Sequence, residues 1–149
     1  MEHIFKYKNA DESTGFLLWK VTNLWQREIR KTLKKENLTH TQFVVLASTF
    51  WLSESNKNLT QIEIANHIGI DKMLTSNVIK KLIEKGLLKR IQHKIDTRAK
   101  AISTTEKGTE TLKKSVKEVE KFDISFFGQL SKKNEFNKEL LRLMNNNGG

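Results

Sequence analysis

The sequence predicts a mainly α fold carrying one small β-hairpin, an α+β class in which helices do most of the packing. Three observations lead there. Proline is absent from all 149 residues, so the strongest helix breaker never occurs. Apolar residues recur every three or four positions over long stretches at both ends of the chain. Near the middle, a glycine turn separates a short amphipathic segment from a longer one, and two short runs around a charged corner, KIDT, follow it.

Taken in order, Thr14 to about Lys35 is a long amphipathic helix, with Leu17, Val21, Leu24, Trp25, Ile29 and Leu33 at helical spacing. In THTQ, Thr39 and Gln42 have the spacing of a capping box, which satisfies free amides at a helix start. A more apolar helix follows through Phe43, Val44, Leu46, Phe50, Trp51 and Leu52, and SESNKN is a polar loop. TQIE, Thr60 to Glu63, is a second capping box and opens a short helix containing Ile64, Ala65 and Ile68. Gly69 breaks it, Asp71 can cap the next helix, and Gly86 ends that one. Residues 60–85 therefore read short helix, glycine turn, longer helix, which is the helix-turn-helix pattern.

LLKRIQHK and RAKAIST do not alternate cleanly, but their position supports a hairpin, since a two-stranded wing commonly follows such a helix pair. Thr104 or Thr105 then starts a long helix through Leu112, Val116, Val119 and Phe126, ended by Gly128. Ser131 is placed to cap a last helix lined by Phe136, Leu140, Leu143 and Met144, and NNNGG is a frayed tail. Apolar faces on terminal helices that a small centre cannot cover tend to be buried by another copy of the chain.

The length suits one domain, 1–149. Within it, the expected division is a helix-turn-helix core over about 38–104, long flanking helices over about 10–36 and 105–145, and a flexible tail over 146–149. Cysteine is absent, which excludes disulfides, thiolate metal sites and thiol redox sensing. No apolar run approaches the roughly 20 residues needed to span a bilayer, and MEHIFKYKNADES lacks a signal-peptide core. The expectation is a soluble, cytoplasmic protein with no membrane partner.

Lys and Arg number 27 against 17 Asp and Glu, a net charge of +10 that argues for nucleic acid or another anionic partner. Between Asp71 and Lys100 nine basic residues face three acidic ones, so more than half the excess falls in one segment. At 100° steps, Leu74, Thr75, Val78, Ile79 and Leu82 share one face of the helix in DKMLTSNVIKKLIEKGLLKR. The other face holds Met73, Ser76, Asn77, Lys80 and Glu84, flanked by Lys72 and Lys81. A face that only needed solvating would more often carry Lys and Glu where Met73, Ser76 and Asn77 stand. Those three are residue types that read base edges: apolar contact to a thymine methyl, a hydroxyl to several bases, an amide to adenine. They lie near the helix N-terminus, where a recognition helix meets the major groove.

LTQIEIANHIGIDKMLTSNVIKKLIEKGLLKRIQHKIDTRAKAISTTEKG resembles the winged helix-turn-helix core of the multiple-antibiotic-resistance regulator (MarR) family, through LTQIEIA, IGIDK, LIEKGLLKR, DTRAK and TTEKG. THTQFVVL resembles the start of that family's second helix and LSKKNEFNKELLRLM its closing dimer helix, so the likeness spans nearly the whole chain. The resemblance implies a homodimer held by its first and last helices, with two recognition helices in successive major grooves of a near-palindromic site. It implies a transcription regulator, more often a repressor, binding double-stranded DNA. It also implies Arg98 of the wing in the minor groove, its guanidinium held by Asp96, with Lys94 and Lys100 near phosphates. The candidate DNA-binding set is thus Thr60, Gln61, Lys72, Met73, Leu74, Ser76, Asn77, Lys80, Lys81, Lys94, Asp96, Arg98 and Lys100.

A basic residue is common in the family where Asn77 stands, which favours adenine over guanine there, and Thr104 replaces a usual leucine. Six of the twelve aromatics lie within residues 16–51. In the similar family this region borders a cleft that can bind small aromatic or anionic molecules. The resemblance therefore makes Phe16, Trp19, Phe43, Phe50 and Trp51 candidate effector-binding residues, with core and dimer packing as the plainer alternative.

Catalysis is not indicated. His3, His40, His67 and His93 are scattered, and Glu63 with His67 supplies only two groups of a metal set. No phosphate-cradling glycine loop or nucleophile elbow is present, and nothing calls for a cofactor. The rival is a basic architectural protein that coats nucleic acid without reading it. An RNA reader would want exposed aromatics for base stacking, and none lies between Asp71 and Lys100.

Overall fold

A computed structural model of the chain describes residues 4–92, 94–96 and 100–148. They form α1 (Thr14–Leu33), α2 (His40–Ser53), α3 (Gln61–Ile68), α4 (Lys72–Glu84), β1 (Leu88–Gln92), β2 (Lys100–Thr104), α5 (Glu106–Phe127) and α6 (Lys133–Asn146), with short 3-10 turns at Ala10–Glu12 and Lys34–Glu36. Among the described residues the fold is mainly α with one two-stranded antiparallel sheet; the helices follow the predicted periodicity and the hairpin stands in its predicted place after the helix pair.

Local chemistry fixes most helix ends. Both capping boxes form: Thr39 Oγ1 accepts from the Gln42 amide while Gln42 Oε1 accepts from the Thr39 amide, and Thr60 and Glu63 repeat the exchange. Asp71 Oδ2 accepts from the Leu74 amide at 3.0 Å. At the end of α4 the Gly86 amide donates to Ile83 O and the Leu87 amide to Leu82 O, a Schellman closure that needs the left-handed backbone of Gly86, φ 74°. The same pair of bonds ends the first helix through Asn37, φ 54°, so α1 stops at Leu33 and a 3-10 turn carries the chain to Glu36. The predicted Ser131 cap does not form. Helix α6 starts at Lys133, so Ser131 stands one position before the cap, where a hydroxyl no longer reaches the first-turn amides.

The core lies where α1, α2, α4, β2 and α5 meet. Ile29 and Leu33 from α1, Leu46 from α2, Ile64 from α3, Ile79 and Leu82 from α4, Leu88 and Ile102 from the hairpin, and Leu112 from α5 are buried together. The hairpin pairs Leu88 with Thr104, Arg90 with Ile102 and Gln92 with Lys100. Its base is tied to the core by the Ile102 amide donating to Leu59 O at 2.7 Å. Helix α6 buries no residue, and the first turns of α1 leave Phe16, Leu17, Leu18 and Trp19 exposed.

Candidate nucleic-acid interface

On α4, Thr75, Val78, Ile79 and Leu82 point into the core. The buried Thr75 hydroxyl donates to Asp71 O at 2.9 Å, so the polar group is satisfied without leaving the helix. The outward side carries Lys72, Met73, Asn77, Lys80 and Lys81, all exposed, with Met73 70% accessible. Two placements differ from the wheel. Leu74, set with the apolar face, is 46% exposed, because at 100° per residue it stands at the edge of the buried face formed by Thr75, Val78, Ile79 and Leu82. Ser76, set with the exposed face, is half-buried. Lys81 pairs with Glu84 at 3.5 Å, a surface contact that leaves its charge largely available.

The turn after Ile68 packs α3 against α4, and Thr60 and Gln61 stand at the opposite, opening end of α3. Thr60 and Gln61 are both half-buried, and the Thr60 oxygen is occupied in its capping box, leaving its proton to donate. On the hairpin, Lys94 and Lys100 are exposed, as are Lys89 and Arg90. Asp96 is exposed, while Arg98 lies outside the described residues, and so does the pairing expected between them.

Two residues act here through partners that no local motif announces. Asn58 Oδ1 accepts from the Lys94 amide at 3.1 Å, and the Asn58 amide donates to Asn56 Oδ1 at 3.0 Å. The polar loop before α3 therefore holds the wing, and an Asn-rich loop at a motif boundary is the signal that could have shown it. Lys85, one of the nine cations of the basic segment, turns inward. Its ammonium donates to Asn37 O and, at 2.8 Å, to Gln42 Oε1, tying α4 to the start of α2.

A second feature sits between α2 and α5. An open cavity of about 900 Å³ is lined by Phe43, Phe50 and Trp51 from α2, His67 at the end of α3, and Leu112, Lys113, Val116, Lys117, Glu120 and Asp123 from α5. Phe16 and Trp19 do not join it. Phe16 lines a smaller hollow with Phe5 and Tyr7, and Trp19 is 66% exposed, since both stand on the first turns of α1 beyond the reach of α2. Asp123 also ties the cavity wall to α1. Its Oδ1 accepts from Trp25 Nε1 at 2.8 Å, and Trp25 packs edge-on against His40 with ring centres 5.1 Å apart. Burial holds His40 below its ordinary pKa; Asp123 opposes that shift and Arg30 adds to it. No cluster of metal-binding side chains occurs among the described residues, and none of their helices is long and apolar enough to cross a membrane.

This geometry has counterparts. The sequence pattern of the ArnR1-like winged-helix domain family matches residues 34–122. YdcH, an HTH-type transcriptional regulator of Bacillus subtilis (strain 168), is 35% identical over 144 residues, covering 97% of this chain and 98% of the relative. Among solved structures, CouR from Rhodococcus jostii bound to p-coumaroyl-CoA superposes with a TM-score of 0.80 at 22% identity, covering 93% of this chain and 94% of that one. The S. aureus MepR–DNA complex gives 0.79 at 21% identity, with 91% and 96% covered. A MarR-family transcriptional regulator from Rhodococcus sp. gives 0.77 at 22%, with 93% and 96% covered.

Proposed function

Because this chain belongs to the winged helix-turn-helix transcriptional regulators and has the MarR-family fold, we propose that it binds a specific near-palindromic operator as a homodimer and represses the promoter it occupies. The observation that carries this reading is the outer face of α4. A helix with a fully packed inner side presents Met73 and Asn77 to solvent amid lysines, residue types suited to base edges within a surface suited to phosphates. Its wing is tied at β2 by the Ile102 amide on Leu59 O and beyond β1 by the Lys94 amide on Asn58, which supports a wing that presents Lys94 and Lys100 beside the helix pair. Pairing of two copies is supported by the apolar side chains left open on α1 and α6. Such a regulator works on the chromosome, in the cytoplasm.

A small aromatic or anionic molecule in the α2–α5 cavity would bear on both the DNA-binding half and the long helix behind it. By changing the spacing of the two recognition helices it would weaken operator binding. Rings from Phe43, Phe50 and Trp51 suit an aromatic ligand, and Lys113 and Lys117, which share the lining with Glu120 and Asp123, are the groups to pair with an anionic one. CouR, of the same fold, holds a coenzyme A thioester.

The test is selection of binding sites from random duplex DNA at near-physiological salt, where phosphate contacts alone are weak. The expected product is one inverted repeat with half-sites about one helical turn, roughly 10 base pairs, apart. Retention that merely follows DNA length and low salt would overturn the proposal and leave the architectural reading.

A further inference from the structure

We infer that this protein reads thymine methyl groups, so that its operator half-site centres on A·T pairs, with Met73 and Leu74 as the specificity-determining residues beside Asn77. The inference deepens the operator reading above and rests on it. Met73 and Leu74 are consecutive apolar side chains on the first turn of α4, and they are 70% and 46% exposed. Folding does not need them there: Thr75, Val78, Ile79 and Leu82 already supply the buried face. Asn77 lies one turn on, at i+4 from Met73 and i+3 from Leu74, so its amide is bracketed by the two apolar groups.

The chemistry of the major groove then narrows the partner. The one apolar group a natural base pair offers there is the C5 methyl of thymine. An asparagine amide matches the N6 and N7 edge of adenine, whose own partner carries that methyl. The helix has no arginine, so guanine could be met only by the lysines Lys72, Lys80 and Lys81, and the carboxylate at its start, Asp71, is engaged in capping the Leu74 amide. Lys72, Lys80 and Lys81 give the exposed face the positive charge that draws it to a polyanion.

The experiment uses the full-length protein and the duplex recovered by selection. Each thymine of the half-site is replaced singly by deoxyuridine, which removes the methyl and keeps every hydrogen-bonding group. Binding constants are measured for the unaltered chain and for Met73→Ala, Leu74→Ala and Met73→Leu, with circular dichroism confirming that each variant is folded. The expected result is a loss of about four-fold for at least one methyl removed, the size of taking one methyl-sized group out of apolar contact. That same replacement should cost Met73→Ala or Leu74→Ala nothing further, while Met73→Leu keeps the sensitivity; such non-additivity marks a direct contact. A half-site without thymine, uracil duplexes bound as tightly as thymine ones, or penalties unchanged in both alanine variants would each overturn the inference while leaving a sequence-specific regulator intact. Failure to recover any motif would remove both readings together.

Discussion

Asn77 and Lys94 stand for two kinds of contact, and their substitution separates them. Asn77→Ala should relax base preference at one position per half-site by about 1–3 kcal/mol. Lys94→Ala should weaken binding to all duplexes and lower the slope of log affinity against log salt by about one unit for each phosphate left without its lysine. Titrations over several salt concentrations measure both; equal, sequence-blind losses from the two variants would rule out base reading by Asn77. His40 gives a prediction in pH. Its folded pKa is held below the ordinary 6.5 by burial, so the unfolded chain takes up this proton first as pH falls. The stability contributed by neutral His40 is therefore present above about 6.5, is lost as pH drops towards the folded value, and changes no further below it. His40→Gln should flatten that acid-side slope in urea unfolding, and a slope equal to that of the unaltered chain would count against His40 as its source. At this scale the sequence was legible wherever a partner lies within four residues, as for Asp71 and the two capping boxes. It was not legible for Asn58, Lys85 or Asp123, whose partners stand 36 to 98 residues away.

Helices and hairpin follow from periodicity, caps and glycines, and their junctions depend on close approach. The first turn of α5 is clasped to the end of α4: Thr105 Oγ1 donates to Gly86 O, the Thr105 amide to Leu87 O, and Lys107 Nζ to Lys85 O. Gly108 makes this possible, since a Cβ there would stand 2.0 Å from Leu87 O. Gly108→Ala should cost about 1–3 kcal/mol through overpacking. Gly15 in α1 has nothing within 4 Å of such a Cβ, so Gly15→Ala should stabilise by roughly 0.4–1 kcal/mol. Thermal melts of the two variants should move in opposite directions, and a shared direction would sink this account of the junction. The sequence showed glycine as punctuation at Gly69 and Gly86. Gly108 was visible only as the last residue of TTEKG, and the reason for it was not, because that requirement comes from a backbone 21 residues earlier in the chain. The wing was inferred from its place after the helix pair, and its irregular alternation is explained by β1 having only Leu88 buried.

For the whole molecule, the apolar residues with no cover are concentrated at its two ends. Phe16, Leu17, Leu18 and Trp19 open α1, and Leu141, Leu143 and Met144 close α6. A 14-residue helix that buries nothing is marginal by itself in water, so a second copy is what would make α6 durable. Leu140→Glu with Leu143→Glu should yield a chain of monomer mass in sedimentation, with a melting temperature that no longer depends on protein concentration. A double variant that still sediments as a dimer would remove α6 from the pairing surface. Fold class and element order were readable from the chain because most of its determinants are local. The cavity was only half readable: Phe43, Phe50 and Trp51 meet there, but clustering in sequence could not separate them from Phe16 and Trp19, which two further turns of α1 carry elsewhere.

The bond from Trp25 to Asp123 has an optical consequence. Of the three tryptophans, Trp19 and Trp51 are exposed in the single chain, Trp51 at the cavity, whereas Trp25 is half-buried, donates to a carboxylate on the cavity wall and touches an imidazole. Replacing Trp19 and Trp51 by phenylalanine would leave one emitter with a known environment. Its colour would report the carboxylate and its brightness the charge on His40, so the chain could be its own gauge of cavity filling without an added dye.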